Sequence, residues 1–305
     1  MTQITATQPS LQVKSVVVPI LMACLGYASY NFSDAGCKAL LEQYHVSTAQ
    51  VMLVGAAVSI VFMTVYGWFR EGKKSFRTGK PKLLLTRALL AQVNSVCNLL
   101  AFPHIHLTVF YTLIFTSPFW VALLSIVVMK EKADKRRIGV ILFGFAVVLY
   151  IFHPGSGLFN IWSGLVLLSA FVFSCQLLII RRIGPQESRA LMVNYGSVMN
   201  ILIVLPFLGG HYAPLSGAEW LIFGGIGLAG CVGLLCISYA FQEASSSALV
   251  APCHYTQILW GAALGYYLFH EVPGVQTLVG AALLILSGVY LVRHEQRRTM
   301  LKFGA

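Results

Sequence analysis

The segment TAQVMLVGAAVSIVFMTVYGWFREGKKSFRTGKPK, residues 48–82, holds the two features that decide the fold. Residues 48–69 carry no charged side chain, and an apolar block of this length spans a bilayer as a helix. Residues 70–82 form the largest basic segment of the chain. Short basic loops lie on the cytoplasmic side of a membrane, and they can also contact anionic lipid headgroups. The segment therefore predicts a membrane span followed by a cytoplasmic loop.

The composition of the whole chain agrees with a membrane protein. Of its 305 residues, 57% are apolar and 10% are charged, whereas a soluble domain carries about 25% charged residues. The net charge of +11 could indicate a nucleic-acid partner. The basic residues sit in short loops between apolar blocks, so the positive-inside rule explains them and we predict no nucleic-acid partner.

The apolar blocks predict an all-α integral membrane protein with ten transmembrane helices. We place the spans at about 15–33, 48–69, 83–102, 107–129, 137–152, 158–180, 190–209, 218–241, 247–269 and 274–292. With ten spans, twenty of the 21 Lys and Arg residues fall on one side, and only Lys38 falls on the other. Both termini are therefore predicted to be cytoplasmic. The first 13 residues lack a basic region, so we expect no cleaved signal peptide.

The chain also repeats itself at a shift of 140 residues. Thr116, Trp120, Ala122, Leu124 and Glu131 fall on Thr256, Trp260, Ala262, Leu264 and Glu271. Five spans per repeat is an odd number, so the second copy must be inverted, as in many secondary transporters. The predicted organisation is a tail at 1–14, repeats at 15–152 and 158–293, and a basic cytoplasmic tail at 294–305.

Two segments resemble the repeats of a known family. TSPFWVALLSIVVMKEKADKRRIG (116–139) and ALVAPCHYTQILWGAALGYYLFHEVPGVQTLVGAALLILSG (248–288) resemble the first and second repeats of the EamA family, within the drug/metabolite transporter superfamily. The shared features are a mid-helix Pro, a closing Glu and a Gly in the next helix: Pro118, Glu131 and Gly139, then Pro252, Glu271 and Gly280.

Within that family the pattern is most similar to bacterial S-adenosylmethionine or riboflavin importers. The features that carry this likeness are Asp34 with Lys38, Arg87 and the segment 153–155. Val54 and Gly55 stand where that group commonly has an Arg in the second helix. The resemblance implies ten helices, alternating access and no use of ATP.

Polar side chains inside a span are costly and mark cavities or helix–helix hydrogen bonds. On the first span Tyr27, Tyr30, Asn31, Asp34 and Lys38 follow each other at steps of three or four residues and share one helix face. The predicted substrate-binding residues are Tyr27, Tyr30, Asn31, Asn94, Asn98, Tyr111, Thr112, Thr116, His254, Tyr255, Gln257 and Trp260. Interhelical hydrogen bonding is the alternative for the polar face of the first span.

Two of these positions could carry protons. Asp34 and Lys38 stand four residues apart and could form a structural ion pair. If Asp34 is buried instead, it is the best candidate for a proton-coupling carboxylate. His254 can change protonation near physiological pH, although a neutral histidine bonded to a neighbouring helix is the alternative. The fourth and ninth spans each contain a proline, Pro118 or Pro252, and such interrupted helices point to a transporter's binding site.

No catalytic motif or cofactor site stands out. The seven cysteines form no CxxC pair and are interpreted as small apolar residues. His104 and His106 lack supporting ligands, so no metal site is predicted.

We therefore expect a carrier of the bacterial cytoplasmic (inner) membrane that moves a small polar organic metabolite, such as S-adenosylmethionine, without a cofactor. The expected partners are this substrate and the lipid bilayer, and a homodimer is left open. The alternatives are an exporter of amino acids or related metabolites and, more distantly, a membrane-embedded enzyme.

Overall fold

A computed structural model describes residues 9–130, 135–151, 160–208, 214–244 and 250–272, and part of 274–293. These residues form α-helices and short 3-10 helices, with no strand among them. The α-helices are α1 (Pro9–Glu42), α2 (Thr48–Arg70), α3 (Pro81–Ala101), α4 (Leu107–Ile114), α5 (Ser117–Val127), α6 (Lys135–Ile151), α7 (Ile161–Ile183), α8 (Arg189–Val204), α9 (Gly217–Glu243) and α10 (Gln257–Phe269). The 3-10 helices are Gly72–Phe76, Phe102–His104, Leu205–Leu208 and Ala251–Thr256.

Six helical segments in the described part are long and apolar enough to cross a membrane. They are Thr48–Arg70, Pro81–His104, Val109–Val127, Ile161–Ile183, Arg189–Phe207 and Gly217–Glu243. The all-α membrane class is therefore confirmed, whereas the count of ten spans stays a prediction. Glu131, the segment 153–155 and both tails lie wholly or largely outside the described residues.

Local sequence signals account for the ends of several helices. Ser47 precedes α2 and accepts a hydrogen bond from the Gln50 amide, and Ser188 does the same before α8 for Leu191. Pro81 occupies the first turn of α3, where its missing N–H costs nothing. One end differs from the prediction, because α1 continues to Glu42 instead of ending near residue 33. Asp34 and Lys38 therefore lie within a helix.

Two helices break at threonines. Thr116 separates α4 from α5, and its hydroxyl donates to the Leu113 carbonyl oxygen at 2.9 Å. Thr256 separates the 3-10 helix Ala251–Thr256 from α10, and its hydroxyl donates to the Cys253 carbonyl oxygen at 2.7 Å. The prolines stand on opposite sides of these breaks, since Pro118 follows Thr116 whereas Pro252 precedes Thr256. The threonines, rather than the prolines, occupy corresponding places.

The helices pack as a bundle in which distant parts of the chain meet. The most extensive packing joins α1 to α9, α3 to α7 and α2 to α8. The first of these is close: a Cβ added at Gly26 would lie 2.9 Å from the Gly233 carbonyl oxygen. Many large apolar side chains, such as Leu21, Trp68 and Leu221, are exposed on the outside of the bundle. This is the surface expected of a protein that lipid surrounds.

Candidate functional site

A polar cavity of about 310 Å³ lies between the helices. It is lined by residues of α1, α2, α3, α4, α7, α8, α9 and α10, and of the two 3-10 helices Phe102–His104 and Ala251–Thr256. Its larger polar side chains are Tyr30, Asp34, Arg87, Gln92, Asn94, Asn98, Tyr111, Gln176, Asn200, His254 and Gln257. A cavity of this size in an apolar bundle can hold a small organic molecule.

Seven of the predicted site residues line this cavity: Tyr30, Asp34, Asn94, Asn98, Tyr111, His254 and Gln257. Four others, Tyr27, Asn31, Thr112 and Thr116, are buried between helices outside its lining. Trp260 is 41% exposed and contacts Phe32 on the outside of the bundle. The side chain of Tyr255 lies outside the described part of the structure.

Asp34 does not pair with Lys38, so the predicted structural ion pair between them is wrong. Its carboxylate accepts a hydrogen bond from the Tyr111 hydroxyl at 3.1 Å and lines the cavity. Asp34 lies within α1, which continues past residue 33, and its partly buried side chain faces the cavity. The proton-coupling role expected of a buried Asp34 stays a prediction.

Lys38 instead forms a buried ion pair with Glu271. Its Nζ lies 2.6 Å from Glu271 Oε1 and donates to the Ile105 carbonyl oxygen at 3.0 Å. The other oxygen of Glu271 accepts from the Leu107 amide at 2.7 Å. His106, one of the two histidines considered as metal ligands, lies 3.4 Å from the same carboxylate. The network ties α1 to the start of α4 and to the segment that follows α10.

His254 sits in an aromatic environment. Its ring stacks on Tyr27 with 4.4 Å between the ring centroids, and Phe173 lies at 5.5 Å. It is buried, yet it contributes to the cavity lining. Gln257, one turn further along, donates to the Tyr27 carbonyl oxygen at 3.4 Å. Tyr27 therefore supports two cavity residues without lining the cavity itself.

Asn94 and Asn98 meet a serine of α7 at the cavity wall. The Asn94 side chain donates to Ser169 Oγ at 2.7 Å, and the Ser169 hydroxyl donates to Asn98 Oδ1. The same amides line the cavity and bond between α3 and α7, and their role in substrate binding stays a prediction. The pair fixes α3 against α7.

Arg87 and Gln92 are cavity residues that the predicted site set lacks. Arg87 Nη1 donates to the Met192 carbonyl oxygen at 3.0 Å. Gln92 Nε2 donates to the Gly196 carbonyl oxygen at 2.9 Å. Both bonds reach α8. A signal was available for Arg87, because a charge within a membrane helix marks function. Arg87 was left out of the predicted site because the third span was predicted to begin at residue 83. A charge so near a span end was counted with the cytoplasmic basic residues.

A bundle of apolar helices around a cavity with polar side chains in its lining is the arrangement expected of a multi-pass membrane transporter. The comparisons agree with this class. Residues 160–293 match the model of the EamA-like transporter family, so the predicted resemblance to that family is confirmed.

Relatives that cover most of the chain carry transporter names. The pseudopaline exporter of Pseudomonas aeruginosa is 26% identical and covers 91% of this chain and 96% of its own length. The riboflavin transporter of Vibrio cholerae is 26% identical, with 84% and 87% covered. The S-adenosylmethionine uptake transporter of Rickettsia felis is 23% identical, with 75% and 78% covered. These names point to a transporter rather than an enzyme.

A crystal structure shares the fold. It matches this chain with a TM-score of 0.66 and 14% sequence identity, and it covers 94% of this chain and 99% of its own. At this identity the likeness concerns the fold alone.

Proposed function

We propose that this protein is a secondary transporter that carries a small polar organic metabolite across the bacterial cytoplasmic membrane by alternating access. The substrate binds in the central cavity between two inverted repeats, residues 15–152 and 158–293. Each repeat contributes five of ten spans, and both termini are cytoplasmic. The observation that carries the proposal is the polar cavity itself, which is lined by helices of both repeats.

Local geometry supports the two repeats. Thr116 and Thr256 stand 140 residues apart and have nearly the same backbone conformation. Thr116 has φ −67° and ψ −20°, and Thr256 has φ −63° and ψ −21°. Lys130 and His270, again 140 residues apart, have positive φ angles of 54° and 55°. A positive φ is uncommon for residues other than glycine. Its recurrence at the same distance from the helix break supports a common ancestry for the two segments.

The packing of the helices supports the same symmetry. Counting α4 with α5 as one span and Ala251–Thr256 with α10 as another, an inverted repeat exchanges each span with the fifth one after it. This exchange pairs α1 with α7, α2 with α8 and α3 with α9. The contact between α1 and α9 then corresponds to the contact between α7 and α3. The contact between α2 and α9 corresponds to the contact between α8 and α3. All four contacts occur. The contacts of α2 with α8 and of α4 with α10 map onto themselves and also occur.

The chemistry of the cavity supports an organic substrate with polar groups. Tyr30, Tyr111 and Phe173 provide aromatic surface for a ring or a cation. Four cavity amide atoms are buried and have no hydrogen-bond partner among the described residues: Gln92 Oε1, Gln176 Nε2, Asn200 Oδ1 and Gln257 Oε1. Buried polar atoms are normally bonded, so these atoms are suited to bind and orient a ligand. S-adenosylmethionine combines a cation with a purine ring and fits this lining.

Transport in the outward direction is the second candidate. The pseudopaline exporter aligns over 280 residues, a longer stretch than the riboflavin transporter or the S-adenosylmethionine uptake transporter named above. Alternating access itself does not fix a direction, because flux follows the gradients of substrate and coupling ion.

Binding is tested by thermal unfolding of the purified protein against a metabolite panel that includes S-adenosylmethionine, riboflavin and amino acids. A ligand at 100 times its Kd stabilises the folded protein by about 2.7 kcal/mol. We expect at least one member to raise the melting temperature. Labelled ligand is then followed in right-side-out and inverted vesicles, which separates uptake from efflux.

Matched variants locate the site. Gln92→Ala and Asn200→Ala remove cavity amides, whereas Gln43→Ala removes an exposed amide that bonds the Leu268 carbonyl oxygen. We expect the first two to weaken transport and the third to leave it unchanged. If no ligand shifts the melting temperature and no panel member moves in either vesicle orientation, the proposal is wrong.

A further inference from the structure

Arg87 is a buried cation with few partners. Its side chain is 4% exposed and lines the cavity. Nη1 donates to the Met192 carbonyl oxygen at 3.0 Å, and the buried Nε has no hydrogen-bond partner among the residues that the structure describes. Within the described part of the chain, no carboxylate oxygen lies within 4.0 Å of its guanidinium nitrogens.

The cavity offers one carboxylate among its described lining residues, and it is engaged elsewhere. Asp34 accepts from Tyr111 near the start of α4, whereas Arg87 bonds Met192 in the first turn of α8. The two charges therefore do not neutralise each other by contact.

A guanidinium that is buried and lacks an anion is costly, because the interior screens and solvates charge poorly. Arginine has five N–H donors in a planar fork, and this fork matches the two oxygens of a carboxylate. One backbone carbonyl uses only a part of that capacity. The bond that fixes α3 against α8 uses Nη1 and leaves the buried Nε without a hydrogen-bond partner among the described residues.

We propose that Arg87 binds a carboxylate group of the transported metabolite. This inference rests on the proposed function and narrows it to organic acids and zwitterions of the amino-acid kind. Asp34 then lies on the cavity wall as the group that attracts a positive charge on the same molecule. A neutral molecule such as riboflavin lacks the group that Arg87 is built to bind.

The experiment compares ligands that differ only in the carboxylate. One pair is S-adenosylmethionine with its decarboxylated amine, and the other is tryptophan with tryptamine. Dissociation constants are measured by calorimetry for the purified wild-type protein, Arg87→Gln and Arg70→Gln. Arg70 is exposed in the last turn of α2, so its variant removes a cation that the cavity does not use.

We expect the wild type to bind the carboxylate-bearing member of at least one pair about 10- to 100-fold more tightly than the amine. In Arg87→Gln this preference disappears, while the affinity for the amine is retained. Arg70→Gln keeps the preference. Arg87→Lys, which keeps the charge without the fork, gives an intermediate preference.

Several outcomes overturn the inference. Equal binding of both members by the wild type does so without any variant, so the test holds even if Arg87→Gln fails to fold. An equal loss of affinity for both members in Arg87→Gln shows a purely structural role. In either case, movement of the amine across vesicle membranes leaves the proposed transport function standing. Failure of every panel member to bind or move overturns the proposed function together with this inference.

Discussion

Lys38 on α1 and Glu271, two residues after α10, form a buried ion pair with 2.6 Å between Nζ and Oε1. The Ile105 carbonyl oxygen and the Leu107 amide complete the network, so the pair joins three separate segments of the chain. In the proposed topology these segments meet at the external end of the bundle. The network therefore holds the external ends of the two repeats together in this structure.

Breaking this pair is expected to destabilise the fold strongly. Lys38→Met or Glu271→Gln leaves one buried charge without its partner, which costs about 3–5 kcal/mol. The double variant should cost less than the sum of the two, because it leaves no uncompensated charge. The free energy of unfolding in mixed micelles provides the measurement.

Glu42 supplies the matched control for that prediction. Its carboxylate lies 3.6 Å from the same Lys38 nitrogen but is 31% exposed. Glu42→Gln should cost at most about 1 kcal/mol, as expected of a solvated pair. Equal costs for Glu42→Gln and Glu271→Gln would contradict the role assigned to the buried pair.

Asp34 is expected to couple transport to protons. Asp34→Asn removes the only acidic group of the described cavity lining and keeps the acceptor oxygen that faces Tyr111. We expect it to abolish accumulation driven by a proton gradient, while exchange of a substrate that carries no positive charge continues at equal concentrations. Tyr111→Phe, which removes the hydrogen bond and keeps the carboxylate, should retain coupling. Gradient-driven accumulation by Asp34→Asn would exclude this role.

His254 is expected to act through its polar ring rather than through its bulk. His254→Phe preserves an aromatic ring against Tyr27 and Phe173, so the melting temperature should change little. The variant removes both ring nitrogens from the cavity, and transport should fall with it. His254→Ala should lower both stability and transport, because it also removes the stacking surface. Wild-type transport by His254→Phe would show that the histidine only fills space.

The sequence predicted the membrane class and most helix bounds, because bilayer thickness imposes long apolar blocks that can be read directly. It also identified the polar face of α1, but not which residues of that face line the cavity. Residues spaced by three and four positions form two adjacent rows along the polar face of α1. The row of Tyr30 and Asp34 lines the cavity, whereas Tyr27 and Asn31 are buried beside it.

Partners distant in sequence were beyond such reasoning. Lys38 and Glu271 are separated by 233 residues, so no local spacing could pair them, and the nearer Asp34 was the natural expectation. Arg87 was counted with the cytoplasmic basic residues, because hydropathy placed it near the end of the third span. Only its burial and its bond to Met192 reveal it as part of the cavity wall.

The contact of α1 with α9 provides the last prediction. A Cβ at Gly26 would lie 2.9 Å from the Gly233 carbonyl oxygen, and one at Gly233 would lie 2.9 Å from the Tyr30 ring and 3.1 Å from the Gly26 carbonyl oxygen. Backbone atoms cannot move aside as a flexible side chain can, so Gly26→Ala and Gly233→Ala must push the two helices apart. We expect each to cost about 1–3 kcal/mol of unfolding free energy.

Because Tyr30 lines the cavity, the same two variants should also impair transport. Gly224→Ala on α9 is the control, since nothing lies within 4 Å of its added Cβ. Alanine favours helix over glycine by about 1 kcal/mol, so this variant should leave stability unchanged or raise it. If all three variants behave alike, close approach of α1 and α9 does not determine the shape of the cavity. If only Gly26→Ala and Gly233→Ala lose stability and transport together, this helix contact sets the position of Tyr30.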